Sequence, residues 1–305
     1  MKRLEETVVK QVEMGREVDL EYGLLVISGL TRDEQFAEYE EKIGAVQQNF
    51  QRKLARRWPT AQPNRESSQI ARTRLLFDYL WLSKPKRCND SYLLTHVVDA
   101  QLDSNLQVTV GSCVGLTSLF TVLACREGLE LTVMVSDSHI MNRLSVDNSV
   151  INIDNTDPLG FNCLIDTDRF REFPAIGLLA CVINSRGYAK EKAGQLEAAM
   201  EDYNLAIRLN PEYAKPYNNR GSIKFKQIDY LGAIQDYELA IGLDPCFADA
   251  YYNRGLARAK LQDFQGARAD LHRAVELDPD NEDAIQGREI IKRLSKAVTA
   301  PDQVY

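Results

Sequence analysis

Long apolar runs are missing from this chain. A membrane-spanning helix needs about 18 or more consecutive apolar residues, and no stretch of the 305 residues approaches that length. The N-terminal segment MKRLEETVVKQVEM carries acidic side chains where a secretory signal would need an apolar segment. We therefore expect a cytoplasmic protein that is neither exported nor embedded in a membrane.

An excess of basic residues is missing as well. The chain has 37 Lys and Arg against 44 Asp and Glu, for a net charge of −7 at pH 7. Surfaces that bind nucleic acid or anionic lipid depend on clustered Lys and Arg. The charge balance therefore argues against nucleic acid and against a membrane surface as partners.

Cysteine and histidine are scarce and widely spaced. The six cysteines form no C-x-x-C pair, and the three histidines are His96, His139 and His272. Structural zinc sites draw on closely spaced Cys and His, and small secreted domains draw on regularly spaced cysteines. We therefore expect no metal site, no other cofactor and a reducing compartment.

What the sequence does contain begins with a cysteine at a predicted helix start. Gly111 and Ser112 break the chain, and Gly128 ends the helix that follows. Apolar residues recur between them at helical spacing, at Leu116, Leu119, Phe120, Leu123 and Ala124. Cys113 is then the first residue of an apolar helix, where unpaired N–H groups and the helix dipole favour a thiolate.

A predicted β-hairpin follows this helix. If the two residues after Val146 form the hairpin loop, Val146 pairs with Ser149. His139 and Asp154 then lie on one face of the hairpin as diagonal neighbours, about 7 Å apart at the backbone. A slip of one residue would place these two side chains on opposite faces. The register of the hairpin therefore decides whether they can meet.

A cysteine, a histidine and an aspartate in this order are the side chains that cysteine acyl-transfer chemistry needs. Cys113 would attack a carbonyl carbon, His139 would accept and return the proton, and Asp154 would hold the imidazole. The alternative is a buried thiol, a surface histidine and a turn aspartate with no shared role. The shared face of the hairpin favours the catalytic interpretation.

The order of a helix-start Cys113, a strand His139 and a strand Asp154 resembles the transglutaminase-like superfamily. The segments VDLEYGLLVISGLTRDEQFAEYEEKI and SYLLTHVVDAQL resemble the helical lead-in of its bacterial branch, in which tetratricopeptide repeats follow the domain. The resemblance covers about residues 15–170 and implies an α+β, papain-like domain with these three residues as its triad. Two departures matter: Val114 stands where many transglutaminases carry an oxyanion-stabilising Trp, and some members of the branch lack the cysteine.

Residues near the triad have candidate roles. Gln107 lies six residues before Cys113, a spacing at which papain-like enzymes place an oxyanion-hole glutamine. A solvated loop residue is the alternative for Gln107, and the backbone N–H of Cys113 is an alternative donor. Asn155 and Thr156 follow in a turn-rich loop, where they line a substrate cleft or serve only the turn.

The second half of the chain is built from sequence repeats, with a period of about 34 residues. Small residues and prolines recur at that spacing: Gly187, Gly221 and Gly255; Ala199, Ala233 and Ala267; Ala206, Ala240 and Ala274; Pro211, Pro245 and Pro279. Such a period, with small residues at helix crossings and Pro after each second helix, resembles the tetratricopeptide repeat (TPR). It predicts three repeats, at 180–213, 214–247 and 248–281, and a terminal helix at 281–297 that covers the last apolar face.

Charged residues follow the same period. Arginines and aspartates recur together, at Arg186, Arg220 and Arg254 and at Asp202, Asp236 and Asp270. Arginines alone would form a ladder for an acidic ligand. Because both partners recur together, ion pairs within or between repeats are the favoured interpretation.

Ligands of TPR proteins usually lie along the concave face formed by the first helices of the repeats. The resemblance places six side chains of this chain there: Asn184, Tyr188, Asn218, Ser222, Tyr252 and Leu256. Asp249 stands where binding of an acidic C-terminal peptide would need a Lys. We therefore expect a protein or peptide partner of another kind on this face, and the oligomeric state stays open.

These patterns together predict two domains. Residues 1–175 form an α+β, transglutaminase-like (papain-like) domain, and residues 176–298 form an all-α TPR solenoid with a capping helix. The predicted function is a cysteine-dependent acyl-transfer enzyme, an amide hydrolase, deamidase or transglutaminase-like enzyme, that the repeats direct to its substrate. The acyl acceptor, water or an amine, stays open. The alternative is a non-enzymatic protein-interaction scaffold in which a degenerate transglutaminase-like domain accompanies the repeats.

Overall fold

The computed structural model describes residues 2–57, 65–85, 90–136, 138–146, 148–164, 167–280 and 286–292. The chain divides into two compact units, Met1–Arg186 (unit 1) and Gly187–Tyr305 (unit 2). The described residues are mostly helical, with one small antiparallel sheet in unit 1. Among the described residues, no helix is both long enough and apolar enough to cross a membrane.

Helices precede the sheet in unit 1. In the described part of this unit they are α1 (Lys2–Glu13), α2 (Leu20–Ile27), α3 (Asp33–Arg57), α4 (Arg65–Ser83), α5 (Leu94–Leu102) and α6 (Cys113–Arg126). The core surrounds α6, since every residue from Gly115 to Ala124 is buried. Gly128 follows the helix with a φ of +70°, a left-handed conformation that favours glycine. The helix therefore begins at Cys113 and ends before Gly128, as its sequence predicts.

The sheet has four described strands: β1 (Leu131–Val135), β2 (Ile140–Val146), β3 (Ser149–Ile153) and β4 (Arg171–Pro174). Their order is β3-β2-β1-β4, and each neighbouring pair is antiparallel. In the hairpin of β2 and β3, Val146 pairs with Ser149 and Asn142 pairs with Ile153. This is the register that a two-residue loop predicts, so that part of the prediction is confirmed. Helix α6 lies against β2.

Unit 2 is built from pairs of helices. They are α7 (Leu178–Lys192), which begins within unit 1, α8 (Leu196–Leu209), α9 (Ala214–Lys226), α10 (Tyr230–Leu243), α11 (Ala248–Lys260) and α12 (Phe264–Leu277). Glycine permits the close approach within a pair. A Cβ at Gly187 would lie 2.7 Å from the ring of Tyr203, and a Cβ at Gly221 would lie 2.7 Å from the ring of Tyr237. Both tyrosines are almost fully buried.

Ion pairs hold the second and third helix pairs together. The Arg220 guanidinium donates to both carboxylate oxygens of Asp236, at 2.9 and 2.6 Å. Arg254 binds Asp270 in the same way, at 2.9 and 2.7 Å. The two carboxylates are only 2% and 5% exposed, so these bidentate contacts compensate for burial of the charges. The predicted Arg–Asp pairs are therefore confirmed in these two repeats.

A helical segment over residues 286–292 follows the third pair. Its Ile290 and Ile291 pack against the buried cluster of Tyr252, Leu271 and Ala274. The terminal helix predicted at 281–297 is observed over this segment, and its other residues lie outside the described part of the chain. The segment covers apolar side chains of the last pair, as a terminal cap does.

The turn inside each repeat places one residue in the left-handed conformation. Gly194, Ile228 and Gln262 occupy the same place in the three repeats, with φ angles of 77°, 67° and 64°. A residue with a Cβ costs roughly 1–2 kcal/mol in this conformation, and a β-branched residue is a genuine outlier there. Ile228 is 72% exposed, so it gains little from burial in return. The turn is therefore strained at Ile228.

Replacing Ile228 by Gly should raise the free energy of unfolding. We expect a gain of about 0.5–1 kcal/mol, after the extra freedom of glycine in the unfolded chain is subtracted. Gly194→Ala is the matched control and should destabilise, because no atom lies within 4 Å of the added Cβ and only the backbone is tested. Urea unfolding followed by far-UV circular dichroism measures both variants. If the Ile228→Gly protein is no more stable than the wild type, the backbone at Ile228 is not strained.

Candidate active site

Cys113 is the first residue of α6. Ser112 caps the helix, because its hydroxyl oxygen accepts the N–H of Gly115 at 3.4 Å. Gly115 also lets the helix start approach the preceding segment, since a Cβ there would lie 2.6 Å from the Ser91 carbonyl oxygen. The Cys113 side chain is half-buried. The cap and the close packing thus fix a partly accessible thiol at a helix N-terminus.

His139 lies in the turn between β1 and β2. Its carbonyl oxygen accepts the N–H of Ser136 at 2.9 Å, and its own N–H donates to the Ser136 hydroxyl at 3.0 Å. The imidazole is 26% exposed. A short turn bonded at both ends therefore fixes the backbone that carries this side chain.

Asp154 follows β3 and faces His139. The Nε2 atom of His139 and the Oδ2 atom of Asp154 are 2.9 Å apart. The ring N–H points away from the line between these atoms, so the contact is an ion pair rather than a well-aligned hydrogen bond. The other carboxylate oxygen accepts the N–H of Thr156 at 2.8 Å and its hydroxyl at 2.6 Å. Both oxygens of the carboxylate are thus held.

The pKa values of His139 and Asp154 are both shifted at this site. The pKa of His139 is raised to about 10, first by the contact with Asp154 and then by the interaction with Cys113, which together outweigh its burial. Burial raises the pKa of Asp154, but the contact with His139 and the hydrogen bonds from Thr156 outweigh it and hold that pKa below its usual value. His139 therefore stays protonated at neutral pH, with a carboxylate on one side of its ring.

Cys113, His139 and Asp154 supply the reactive groups of this site. They supply a sulfur nucleophile, a proton carrier beside it and a carboxylate that holds the carrier. Within the described ranges of the chain, His, Cys, Asp and Glu side chains form no group of three that could hold a metal ion. The arrangement suits covalent chemistry at sulfur.

A compact loop after β3 supports Asp154. The Asp154 N–H donates to the Gly160 carbonyl oxygen at 2.9 Å, and a Cβ at Gly160 would overlap the Asp154 carbonyl oxygen. Cys163 also lies beside Asp154, and burial is the main reason that the pKa of this second thiol is raised. Sequence reasoning missed both residues. The turn signal Pro158-Leu159-Gly160 could have indicated the glycine, whereas no spacing pointed to Cys163.

The other candidates near the triad have different surroundings. Thr156 reaches the site, because it holds the carboxylate of Asp154. Asn155 does not line a cleft: it is 2% exposed, and its amide donates to Asn142 inside the core. Gln107 lies exposed in the loop before α6, where its N–H donates to the Asn105 side chain at 2.9 Å. A role for Gln107 in the oxyanion hole stays a proposal.

The six candidate groove residues of the repeats differ in exposure. Tyr188 is 50% exposed, and Ser222 and Leu256 are half-buried. The other three are buried: Asn184, Asn218 and Tyr252. Tyr188, Ser222 and Leu256 are each 34 residues apart, so they occupy the same position in the first helix of each repeat. We name Tyr188, Ser222 and Leu256 the accessible row.

Comparison with known proteins concerns unit 2. The tetratricopeptide repeat family model matches residues 248–281, and a TPR repeat model matches residues 187–228 and 221–262. No curated protein matches the chain.

Solved TPR structures resemble part of the chain. The Arabidopsis OM64 TPR domain is 33% identical, with 38% of this chain and 94% of that chain covered and a TM-score of 0.36. The first TPR domain of human RPAP3 is 28% identical, with 41% and 97% covered and a TM-score of 0.38. The first TPR of Spaghetti (RPAP3) bound to the HSP90 peptide SRMEEVD is 29% identical, with 39% and 93% covered and a TM-score of 0.37.

The repeat prediction is confirmed by the family models, whereas the transglutaminase-like fold of unit 1 stays a prediction. Residues 187–281 of this chain belong to the tetratricopeptide repeat family.

Proposed function

We propose that the repeats bind an extended segment of another protein, and that this is the principal function of the chain. The tetratricopeptide repeats at residues 187–281 support a protein-interaction role. We assign the binding surface to the accessible row, because Tyr188, Ser222 and Leu256 have exposed or partly exposed side chains at equivalent places of the repeats. An aromatic, a small polar and an aliphatic residue suit apolar side chains of a peptide better than its carboxylates.

A charge placed in the accessible row should weaken peptide binding. Peptides selected from a random library on the full chain serve as probes, and fluorescence polarisation measures their dissociation constants. Ser222→Glu should weaken them about tenfold or more, as for a residue near the centre of an interface. Leu239→Glu is the control, since Leu239 is 50% exposed on the second helix of the same pair.

The acidic peptide SRMEEVD, which is seen bound to the first TPR of Spaghetti, is the comparison ligand. We expect it to bind this chain more weakly than the selected peptides, since Asp249 would repel a carboxylate. Equal losses from Ser222→Glu and Leu239→Glu, or tight binding of SRMEEVD, would refute the assignment of the accessible row.

A second function, cysteine-dependent acyl transfer, is favoured by one observation in unit 1. Asp154 Oδ2 lies 2.9 Å from the His139 imidazole, and Asp154 and Cys113 together raise the pKa of that imidazole. In this proposal the Cys113 sulfur attacks an amide carbonyl carbon, and the backbone N–H groups at the start of α6 stabilise the oxyanion. His139 gives its proton to the leaving amine, and a thioester to Cys113 remains.

The acceptor decides the outcome of the proposed reaction. His139 takes a proton from the acceptor as it attacks the thioester carbonyl, and the Cys113 sulfur leaves. Water as acceptor makes the chain an amide hydrolase or deamidase, whereas an amine makes it a transferase. Asp154 stays ionised throughout and keeps the imidazole oriented.

An activated ester tests for the acyl intermediate. Brief exposure to p-nitrophenyl acetate should place one acetyl group on Cys113, which peptide mass spectrometry locates. Cys113→Ala and His139→Ala should each abolish that modification. Added glycine amide distinguishes an amine acceptor from water by the acetylated product that it forms. Acetylation of Cys113 and Cys125 to the same extent would support the non-enzymatic scaffold instead, with unit 1 as a degenerate domain beside the repeats.

A further inference from the structure

Buried side-chain hydrogen bonds form a continuous chain behind the candidate active site. Asn155 Nδ2 donates to Asn142 Oδ1 at 2.8 Å, and Asn142 Nδ2 donates to the Thr121 hydroxyl at 2.7 Å. The Thr121 hydroxyl donates in turn to the Thr117 carbonyl oxygen at 2.7 Å. All four residues are at most 2% exposed. We name Thr117, Thr121, Asn142 and Asn155 the buried polar chain.

One end of the buried polar chain lies on the elements that carry the nucleophile and the base. Thr117 and Thr121 follow Cys113 at intervals of four residues, so they share its face of α6. Asn142 lies on β2, which begins directly after His139. The polar chain therefore joins α6 to β2 at their buried contact.

The other end reaches the segment that carries the carboxylate. Asn155 directly follows Asp154, and its amide is anchored to Asn142 inside the core. Thr156 comes next and holds the carboxylate from the outer side. The backbone between Asp154 and Thr156 is thus fixed by one inward and one outward side chain.

Core packing alone does not require the amide side chains of Asn142 and Asn155. Ile140 and Leu144, the neighbours of Asn142 on the same face of β2, are apolar and 2% exposed. A buried polar group left without a partner costs about 1–3 kcal/mol, whereas a fully paired set admits one arrangement. The Asn142 amide therefore fixes the orientation of its hydrogen-bond partners, which an aliphatic side chain at this position would not do.

We propose that Asn142 and Asn155 are positioning residues that hold Asp154 against His139. The purpose of this positioning rests on the proposed acyl-transfer function. Loss of either amide frees the segment after β3 from α6 and β2, so Asp154 moves away from the imidazole. His139 then loses the partner that stabilises its protonated form.

The protonation of His139 tests this positioning without any activity assay. Nuclear magnetic resonance of ¹³Cε1-labelled histidine is followed from pH 6 to 10 in the full chain, where His139→Gln identifies the His139 signal among three. The groups that act on this imidazole are Asp154 and Cys113, and Cys163 lies beside Asp154. Asn142→Ala and Asn155→Ala should each lower the His139 pKa by about one pH unit or more, a tenfold loss of proton affinity.

Thr117→Val is the matched control. It removes a buried hydroxyl whose bond to the Ile140 carbonyl oxygen is 3.4 Å long, and it touches neither amide. Its His139 titration should match the wild type, even where its unfolding free energy falls as far as in the alanine variants. If an alanine variant does not fold, Thr121→Val replaces it, because this nearly isosteric change removes the acceptor of Asn142.

The possible outcomes separate this proposal from the acyl-transfer proposal. A wild-type His139 that titrates near the ordinary value of about 6.5 would mean that Asp154 does not hold it, and both proposals would fall. A raised wild-type pKa that is unchanged in the Asn142 and Asn155 variants would overturn the positioning role alone. A lowered pKa in these variants, but not in Thr117→Val, would establish it.

Discussion

Iodoacetamide should alkylate Cys113 faster than Cys125 or Cys163 at pH 6.5, and His139→Ala should slow that reaction about tenfold or more. The reason is the imidazolium, which carries a positive charge beside the Cys113 sulfur because the pKa of His139 is raised to about 10. The variant removes that charge and the attraction it exerts on negative charge at the attacking sulfur. Peptide mass spectrometry over a time course gives the rate at each cysteine.

Cys125 is the internal control for this experiment. It lies near the other end of α6 and is exposed, but partial burial of its sulfur, together with Asp19 and Glu130, raises its pKa. Access alone would therefore favour Cys125, whereas thiolate chemistry favours Cys113. Asp154→Asn should have a smaller effect than His139→Ala, because the imidazole stays in place and loses only its anionic partner. Equal rates at Cys113 and Cys125, with no response to His139→Ala, would end the catalytic interpretation.

The parts of the structure that the sequence predicts are those with a fixed period. The side chains of a strand alternate with a period of two, so a two-residue loop after Val146 sets the whole pairing of β2 with β3. The repeats share one longer period, and Gly221 and Gly255 recur in it beside Tyr237 and Leu271. Both predictions use local spacing, and the structure agrees with both.

The parts that the sequence does not predict depend on where side chains point in three dimensions. The period places Asn218 and Ser222 in the same repeat, but it does not show that Asn218 is buried while Ser222 stays accessible. Asn142 reads as an ordinary polar strand residue, and its bond to Asn155 joins residues that no periodic pattern relates. The support of the candidate triad is therefore visible only in the folded chain, although the triad residues themselves follow from spacing.

Alanine at two glycines of the repeats should change stability in opposite directions. A Cβ at Gly221 would lie 2.7 and 2.9 Å from ring atoms of Tyr237, which is 1% exposed and has no room to move. We expect Gly221→Ala to lower the free energy of unfolding by about 1–3 kcal/mol, the usual cost of overpacking a core. At Gly242, which is exposed on α10, nothing lies within 4 Å of the added atom. Gly242→Ala should therefore raise the free energy of unfolding by about 0.5 kcal/mol through helix propensity.

Gly255 provides an intermediate case. Its added Cβ would lie 3.0 Å from Leu271 and 3.1 Å from the Ala267 carbonyl oxygen, so the overlap is milder than at Gly221. Urea unfolding of the full chain, followed by far-UV circular dichroism, should rank the three variants Gly221→Ala, Gly255→Ala and Gly242→Ala from least to most stable. Gly221 and Gly255 lie in helix interiors, and Gly242 lies one residue before the end of α10, so the propensity gain at Gly242 is no larger than at the other two. The ranking therefore reports the space between paired helices. A Gly221→Ala protein as stable as Gly242→Ala would show that the helices of the second repeat can separate at little cost, and the close glycine–tyrosine contact would not be what holds them.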